Sequence, residues 1–155
     1  MFVLLSFIGL LAGILIARYT KEELAQGKRY FLWIKGICLI IISLILIYQF
    51  KLSWVILLGL IIGYFIDVEY LCFGLVLVLT QNFLVSLMVF IFGLAYGSLL
   101  KINKLKFILI NLILFLIPLV FLVLNIGYTK EIMSFVIGVL LIRSSSWIFK
   151  KQSRI

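Results

Sequence analysis

The chain alternates long apolar stretches with short polar breaks, and this alternation dominates the sequence. Apolar runs cover residues 2–17, 31–50, 52–66, 70–80, 83–100, 107–126 and 132–149. Most of them approach the roughly 20 residues that a helix needs to cross about 30 Å of hydrocarbon. We therefore predict an all-α polytopic membrane bundle of about seven membrane segments, forming a single integral membrane domain over residues 1–155.

The first apolar run and the polar stretch after it contain signals for where helices begin and end. Residues 2–17 have the length of a signal-peptide core, but no basic residue precedes them and Arg18 follows, so we expect an uncleaved helix. In the stretch 18–30, Thr20 is a suitable N-cap, Glu22 and Glu23 suit a first helical turn, and Gly27 is a stop signal. These signals predict a short interfacial helix separate from the run 31–50.

The two runs in the middle of the chain are too short for ordinary crossings. As helices, residues 52–66 and 70–80 would extend about 22 Å and about 16 Å. They are compatible with two short crossings, with a re-entrant helical hairpin over about 52–80, or with one long kinked crossing. The acidic break Asp67-Val68-Glu69 lies at their junction.

The positions of the basic residues separate these alternatives. If the chain enters and returns over 52–80, twelve basic residues lie on one side and only Lys51 and Lys130 on the other. A single crossing would instead distribute the basic residues almost evenly. Since cytoplasmic loops are rich in Lys and Arg, we expect the segment to return, with the N-terminus outside and the C-terminus cytoplasmic, in the plasma membrane. The twelve are Arg18, Lys21, Lys28, Arg29, Lys35, Lys101, Lys104, Lys106, Arg143, Lys150, Lys151 and Arg154.

A Gly-Leu-x-x-Gly pattern occurs three times, each near the end of a run that is expected to point inward. Glycines four residues apart share one helix face and let a neighbouring backbone come close, which is a common way for helices to associate in lipid. The pattern predicts helix packing at these positions, and its recurrence suggests repeated helical hairpins. The glycines are Gly9, Gly13, Gly59, Gly63, Gly93 and Gly97.

Composition and charge limit the kinds of partner and functional site that the chain can have. Hydrophobic residues make up 66% of the 155 positions, whereas soluble domains contain roughly 45–50%. The 14 basic and 5 acidic residues give a net charge of +9, which we assign to anionic lipid headgroups rather than to nucleic acid. The chain has no histidine, and Cys38 and Cys72 lack the spacing of a metal or redox motif. We expect no catalytic residue, metal or cofactor.

Polar residues within or beside the apolar runs are the candidates for a function. Asp67 and Glu69 rank first, because acidic residues are rare here and these two lie at a break between half-length helices. Lys35 and Arg143 lie inside apolar runs on the same predicted side, and Ser145 follows Arg143 within a run of three serines. We predict that Lys35 or Arg143 lies within salt-bridge distance of Asp67 or Glu69, lining a cytoplasm-facing pocket.

Three classes of function fit this sequence. The first is a transporter- or channel-like bundle for a small solute or ion that uses Asp67 and Glu69. The second is a non-catalytic subunit or assembly factor of a membrane complex. The third is a lipid-modifying intramembrane enzyme, which the lack of histidine disfavours. Expected partners are the lipid bilayer and either a second copy of the chain or a membrane partner subunit.

Overall fold

The protein is all-α in the residues that the computed structural model describes, namely 2–19, 21–66, 69–99, 105–123 and 129–152. These residues contain no strand. In chain order the helices are α1 (Phe2–Tyr19), α2 (Lys21–Gln49), α3 (Val55–Phe65), α4 (Glu69–Thr80), α5 (Phe83–Leu99), α6 (Leu105–Val123) and α7 (Thr129–Gln152).

The helices follow the apolar runs closely, with one correction at α2. The sequence predicts a stop at Gly27, but α2 continues through this position without a break from Lys21 to Gln49. One glycine inside a helix costs only about 1 kcal/mol relative to alanine, so the residues on both sides of it can maintain the helix. The separate interfacial helix is therefore wrong.

The segment 52–80 forms two helices whose main packing partners differ. Helix α3 packs on α7, whereas α4 packs mainly on α6 and α7. Ile66 at the end of α3 has an extended backbone conformation. The two helices are thus not a tight hairpin held together by contacts with each other, because each is stabilised by later parts of the chain.

Two pairs of helices run parallel to each other. A Cβ atom at Gly9 would meet the backbone of Phe90, and one at Gly13 would meet that of Leu94, so α1 and α5 advance together. Gly59 and Gly63 approach the backbones of Phe135 and Val139 in the same way, which makes α3 parallel to α7. Both parallel pairs agree with a chain that reverses direction at every helix. A single crossing over 52–80 would make each pair antiparallel.

Helix α4 is the most enclosed element of the described structure. Its residues from Glu69 to Val78 are buried except for the partly buried Leu71. The helix is apolar on all sides, as expected for a helix with neighbours all around it. A two-residue turn joins it to α5, with Gln81 in a left-handed conformation (φ 47°) and the side chain of Asn82 accepting a hydrogen bond from the Leu84 N–H at 2.9 Å.

One segment of the described chain is long and apolar enough to cross a membrane by length and composition, namely the 23 residues Gly27–Gln49 of α2. In α1, α3, α4, α5 and α6 the described apolar segments are shorter, at 10–17 residues. A single segment of this kind also occurs in the cores of soluble proteins and in signal sequences. The seven helices are therefore established in the described residues, whereas about seven membrane segments remain a prediction.

Candidate functional site

A salt bridge joins Lys35 of α2 to Glu69 of α4. The Lys35 Nζ atom lies 2.9 Å from Glu69 Oε2, and the two side chains are only 15% and 10% exposed. The predicted contact between a cation and a carboxylate at this position is therefore present. Because two charges leave water together here, their mutual attraction must offset a desolvation cost of several kcal/mol per ion.

Two aromatic rings of α5 lie beside the same ammonium group. The Lys35 Nζ atom is 4.5 Å from the ring centroid of Tyr96 and 5.3 Å from that of Phe92. The two rings are stacked, with centroids 5.7 Å apart and planes inclined by 14°. Ring faces carry partial negative charge, so both rings attract the ammonium group in addition to the carboxylate.

The local structure explains why these groups meet. Phe92 and Tyr96 are four residues apart on α5 and therefore share one face of that helix. Glu69 is the first residue of α4, where the positive end of the helix dipole favours a carboxylate. The next residue, Tyr70, is buried and its ring lies 5.6 Å from that of Tyr96, which fixes the start of α4 against the end of α5. Thus α2 supplies the cation, α4 supplies the carboxylate and α5 supplies the two rings.

Glu69 differs from the other carboxylate whose side chain the structure describes. Glu131 is exposed in the first turn of α7, whereas Glu69 is buried and paired. Asp67, the other acidic candidate, lies outside the described residues. Among the described residues, no group of three or more His, Cys, Asp or Glu side chains lies together in a way that could hold a metal ion.

The remaining candidates, Arg143 and Ser145, lie on α7. Arg143 is partly buried on α7. The neighbouring serine hydroxyls donate to their own helix, Ser144 to the Leu141 carbonyl at 2.7 Å and Ser145 to the Ile142 carbonyl at 2.9 Å. Asn111 of α6 is buried, and its amide nitrogen has no hydrogen-bond partner among the described residues. None of the described contacts brings Ser145 to the Lys35–Glu69 pair.

The six glycines singled out by their spacing lie at helix contacts. A Cβ at Gly93 would be 2.8 Å from the Leu10 backbone nitrogen, and one at Gly97 would meet the Leu10 carbonyl oxygen. A Cβ at Gly138 of α7, which the pattern did not include, would be 2.9 Å from the Leu60 backbone nitrogen. We call the contacts α1–α5 and α3–α7 the glycine seams. They join helices distant in the sequence, so the repeated hairpins stay a prediction.

A cavity of about 410 Å³ lies between α3, α4, α6 and α7, and neither Lys35 nor Glu69 lines it. Its lining is apolar except for Glu131, and it includes none of the predicted binding residues. The polar pocket that we expect beside the ion pair is therefore not this cavity. The lining residues are Val55, Leu71, Leu75, Ile117, Pro118, Glu131, Ile132 and Phe135.

The sequence reasoning missed Phe92 and Tyr96, although a signal was present. Each stands directly before a glycine of the third motif, in Phe92-Gly93 and Tyr96-Gly97. Neighbouring positions on a helix differ by about 100°, so when the glycines face α1 the aromatic residues must face another neighbour. Two large rings on the face of α5 next to its glycines predict that α5 makes a second contact, through side chains, in addition to its backbone contact with α1.

No protein-family model, curated protein or solved structure matches this chain. We call the salt-bridged pair and the two rings beside it, namely Lys35, Glu69, Phe92 and Tyr96, the Lys35–Glu69 site.

Proposed function

We propose that the chain is a multi-pass integral membrane protein of the cell membrane. Supporting this, many large apolar side chains of the described helices are exposed, and on α2 and α6 they recur at helical spacing along one face. Soluble proteins rarely leave contiguous apolar faces of this size uncovered, whereas lipid covers them at no cost. The exposed residues on these two helices include Ile34, Ile37, Ile40, Leu44, Leu109, Ile110, Ile113 and Ile117.

The proposed topology has the N-terminus outside and the C-terminus in the cytoplasm. It is supported by the twelve-to-two distribution of basic residues and by the parallel directions of the two glycine seams. Single cysteines can test it after Cys38 and Cys72 are replaced by serine. A membrane-impermeant thiol reagent should label cysteine at positions 51 and 130 from outside, and at position 104 only after the membrane is opened. Labelling of position 104 from outside would contradict the topology.

Within this architecture we propose a transporter- or channel-like function for a small solute or ion. The observation that carries the proposal is the salt bridge between Lys35 and the buried Glu69, in a bundle whose other buried polar residues, among those the structure describes, are serines and one asparagine. Ionisable residues at membrane depth are costly and usually mark an ion or substrate pathway. The pair is assembled from α2 and α4 with rings from α5, so a relative shift of these helices would open or close it.

Uptake into proteoliposomes tests this function. We would compare the wild-type chain, E69Q and E131Q for uptake of rubidium, chloride and methylammonium. We expect one of these probes to enter with wild type, to lose most of its uptake with E69Q and to keep it with E131Q. The Glu131 variant is a matched control because it removes an exposed carboxylate outside the site.

Two outcomes would contradict the proposal. If folded wild-type protein takes up none of the three probes, the non-catalytic subunit is the better interpretation, and co-purification of a membrane partner would then support it. If E69Q moves a probe as fast as wild type, the pathway does not use the Lys35–Glu69 site.

A further inference from the structure

The ammonium group of Lys35 occupies a position with the features of a binding site for a cation. One carboxylate oxygen lies 2.9 Å away, and two stacked ring faces lie within 5.3 Å. A carboxylate alone would compensate the charge of Lys35. The added ring faces attract any cation of suitable size placed there, and aromatic groups around an ammonium are a recurrent way of recognising such ligands.

We infer that the Lys35–Glu69 site binds a small organic ammonium cation and that Lys35 is its tethered occupant when that cation is absent. This inference rests on the proposed function and names the class of its substrate. The incoming cation takes the place of the Lys35 ammonium beside Glu69, Phe92 and Tyr96. Charge is conserved in this exchange, because one monovalent cation replaces another at the same carboxylate.

The surrounding groups favour an organic ammonium over an inorganic ion. Small metal cations hold their hydration shell strongly and need several oxygen ligands to replace it. The described site offers one carboxylate and two hydrocarbon ring faces, which suit a weakly hydrated ammonium with N–H or methyl groups. Sodium is therefore the appropriate comparison ion.

Lys35 is suited to leave the site and return to it. Its ammonium is carried by a flexible four-carbon chain, and the pair keeps some exposure to the surroundings. A tethered group competes at an effective concentration of roughly millimolar or more. Wild type should therefore bind a free ammonium weakly, and removal of the Lys35 side chain should strengthen binding by about tenfold or more.

The first test measures thermal unfolding of K35A in detergent, with increasing methylammonium chloride against equal concentrations of sodium chloride. We expect methylammonium to raise the midpoint of K35A in a saturable manner and to exceed the effect of sodium. The matched control is K35A/E69Q, which lacks the carboxylate and should show no such gain. Recovery of folded K35A only when methylammonium is present throughout purification would also support the inference.

The second test uses the wild-type chain. A cation that takes the site releases Lys35, so tetramethylammonium, which does not consume acylating reagents, should increase acylation of Lys35 relative to exposed Lys51 in peptide mass spectrometry. The inference is overturned if methylammonium stabilises K35A no more than K35A/E69Q. If K35A is not recovered in any salt, unchanged acylation of Lys35 overturns it.

These outcomes are separable from those of the uptake experiment. Binding of methylammonium to K35A without uptake by wild type would retain the cation site and reject the transport function. Uptake of rubidium or chloride that depends on Glu69, without ammonium binding, would retain transport and reject the substrate class.

Discussion

The glycine seams and the Lys35–Glu69 site both join helices that are distant in the sequence, but they do so by opposite means. At the seams the side chains are absent, and the backbones of α1 and α5, or α3 and α7, come into contact. At the Lys35–Glu69 site two charged side chains and two rings fill the space between α2, α4 and α5. The seams hold the helices together by close backbone packing. The site instead places two charged groups in the interior, where their desolvation lowers the stability of the fold.

The largest effect should come from filling a seam. In G59L the new side chain would collide with the Phe135 backbone, which cannot move without separating α3 from α7. Because backbone rather than a flexible side chain is in the way, we expect the loss to exceed the typical overpacking cost of about 1–3 kcal/mol and the bundle to fail to assemble. Denaturant titration of the purified protein, or its yield as a folded species, measures this.

Gly27 provides the matched control for the seam. A Cβ at this position would be 3.5 Å from a ring carbon of Phe31, which is ordinary contact. G27A should therefore be neutral or should gain about 0.5–1 kcal/mol, because alanine is the better helix residue. The same change at the seam, G59A, should be destabilising, because even a single Cβ collides with the Phe135 backbone; equal effects of G59A and G27A would show that the seam has no special role.

Breaking the ion pair on one side should have the next largest effect. In K35M the buried Glu69 carboxylate loses its partner, and removing one member of a buried pair costs about 3–5 kcal/mol. The double variant K35M/E69M removes both charges and should recover most of this loss. A double-mutant cycle measured by denaturant titration gives the coupling, and two additive losses would contradict a direct interaction.

A smaller effect is expected from the ring beside the ammonium. Y96L removes the ring face 4.5 Å from Lys35 and its stacking on Phe92. We expect a loss of about 1–2 kcal/mol, the sum of a partly buried cation–π contact and an aromatic pair. Tyr48, which is 93% exposed, supplies the control Y48L. If the unfolding midpoints of Y96L and Y48L shift by the same amount, the contact between the Tyr96 ring and Lys35 does not stabilise the fold.

The smallest effect should be at Ser145. Its hydroxyl donates to the Ile142 carbonyl of its own helix, so S145A should change stability by about 0.5 kcal/mol or less. Uptake in proteoliposomes should also be unchanged. A clear loss of uptake in a stable S145A protein would return this serine to the binding site, as its position beside Arg143 in the sequence suggested.

The positions of the helices could be predicted from the sequence, but the helices' partners could not. Polar breaks such as Gln81-Asn82 and the run boundaries mark the helix ends closely, because the burial pattern and capping are local properties. Gly27 misled the prediction, since one unfavourable residue does not end a helix with good formers on both sides. The glycine spacing predicts a close approach, yet it contains no information on which helix approaches.

The candidate site was predictable only as a set of alternatives. Two cations and two carboxylates on one predicted side allow four pairings, and the structure shows the one between Lys35 and Glu69. Which residues pair depends on how α4 lies against α2 and α5, a tertiary arrangement that no local pattern specifies. The positions of Phe92 and Tyr96 beside the glycines indicate a second contact face on α5, but no local pattern shows that this face meets Lys35.

The burial of α4 has a consequence for how the chain is made. This helix has 12 residues and carries a charge at its first position, so it is a poor candidate for independent insertion into a bilayer. The helices that cover it most, α6 and α7, are synthesised after it. In the membrane protein that we propose, α4 should therefore stay out of lipid until α6 and α7 have been made, and a chain truncated after α5 should leave α4 open to proteases.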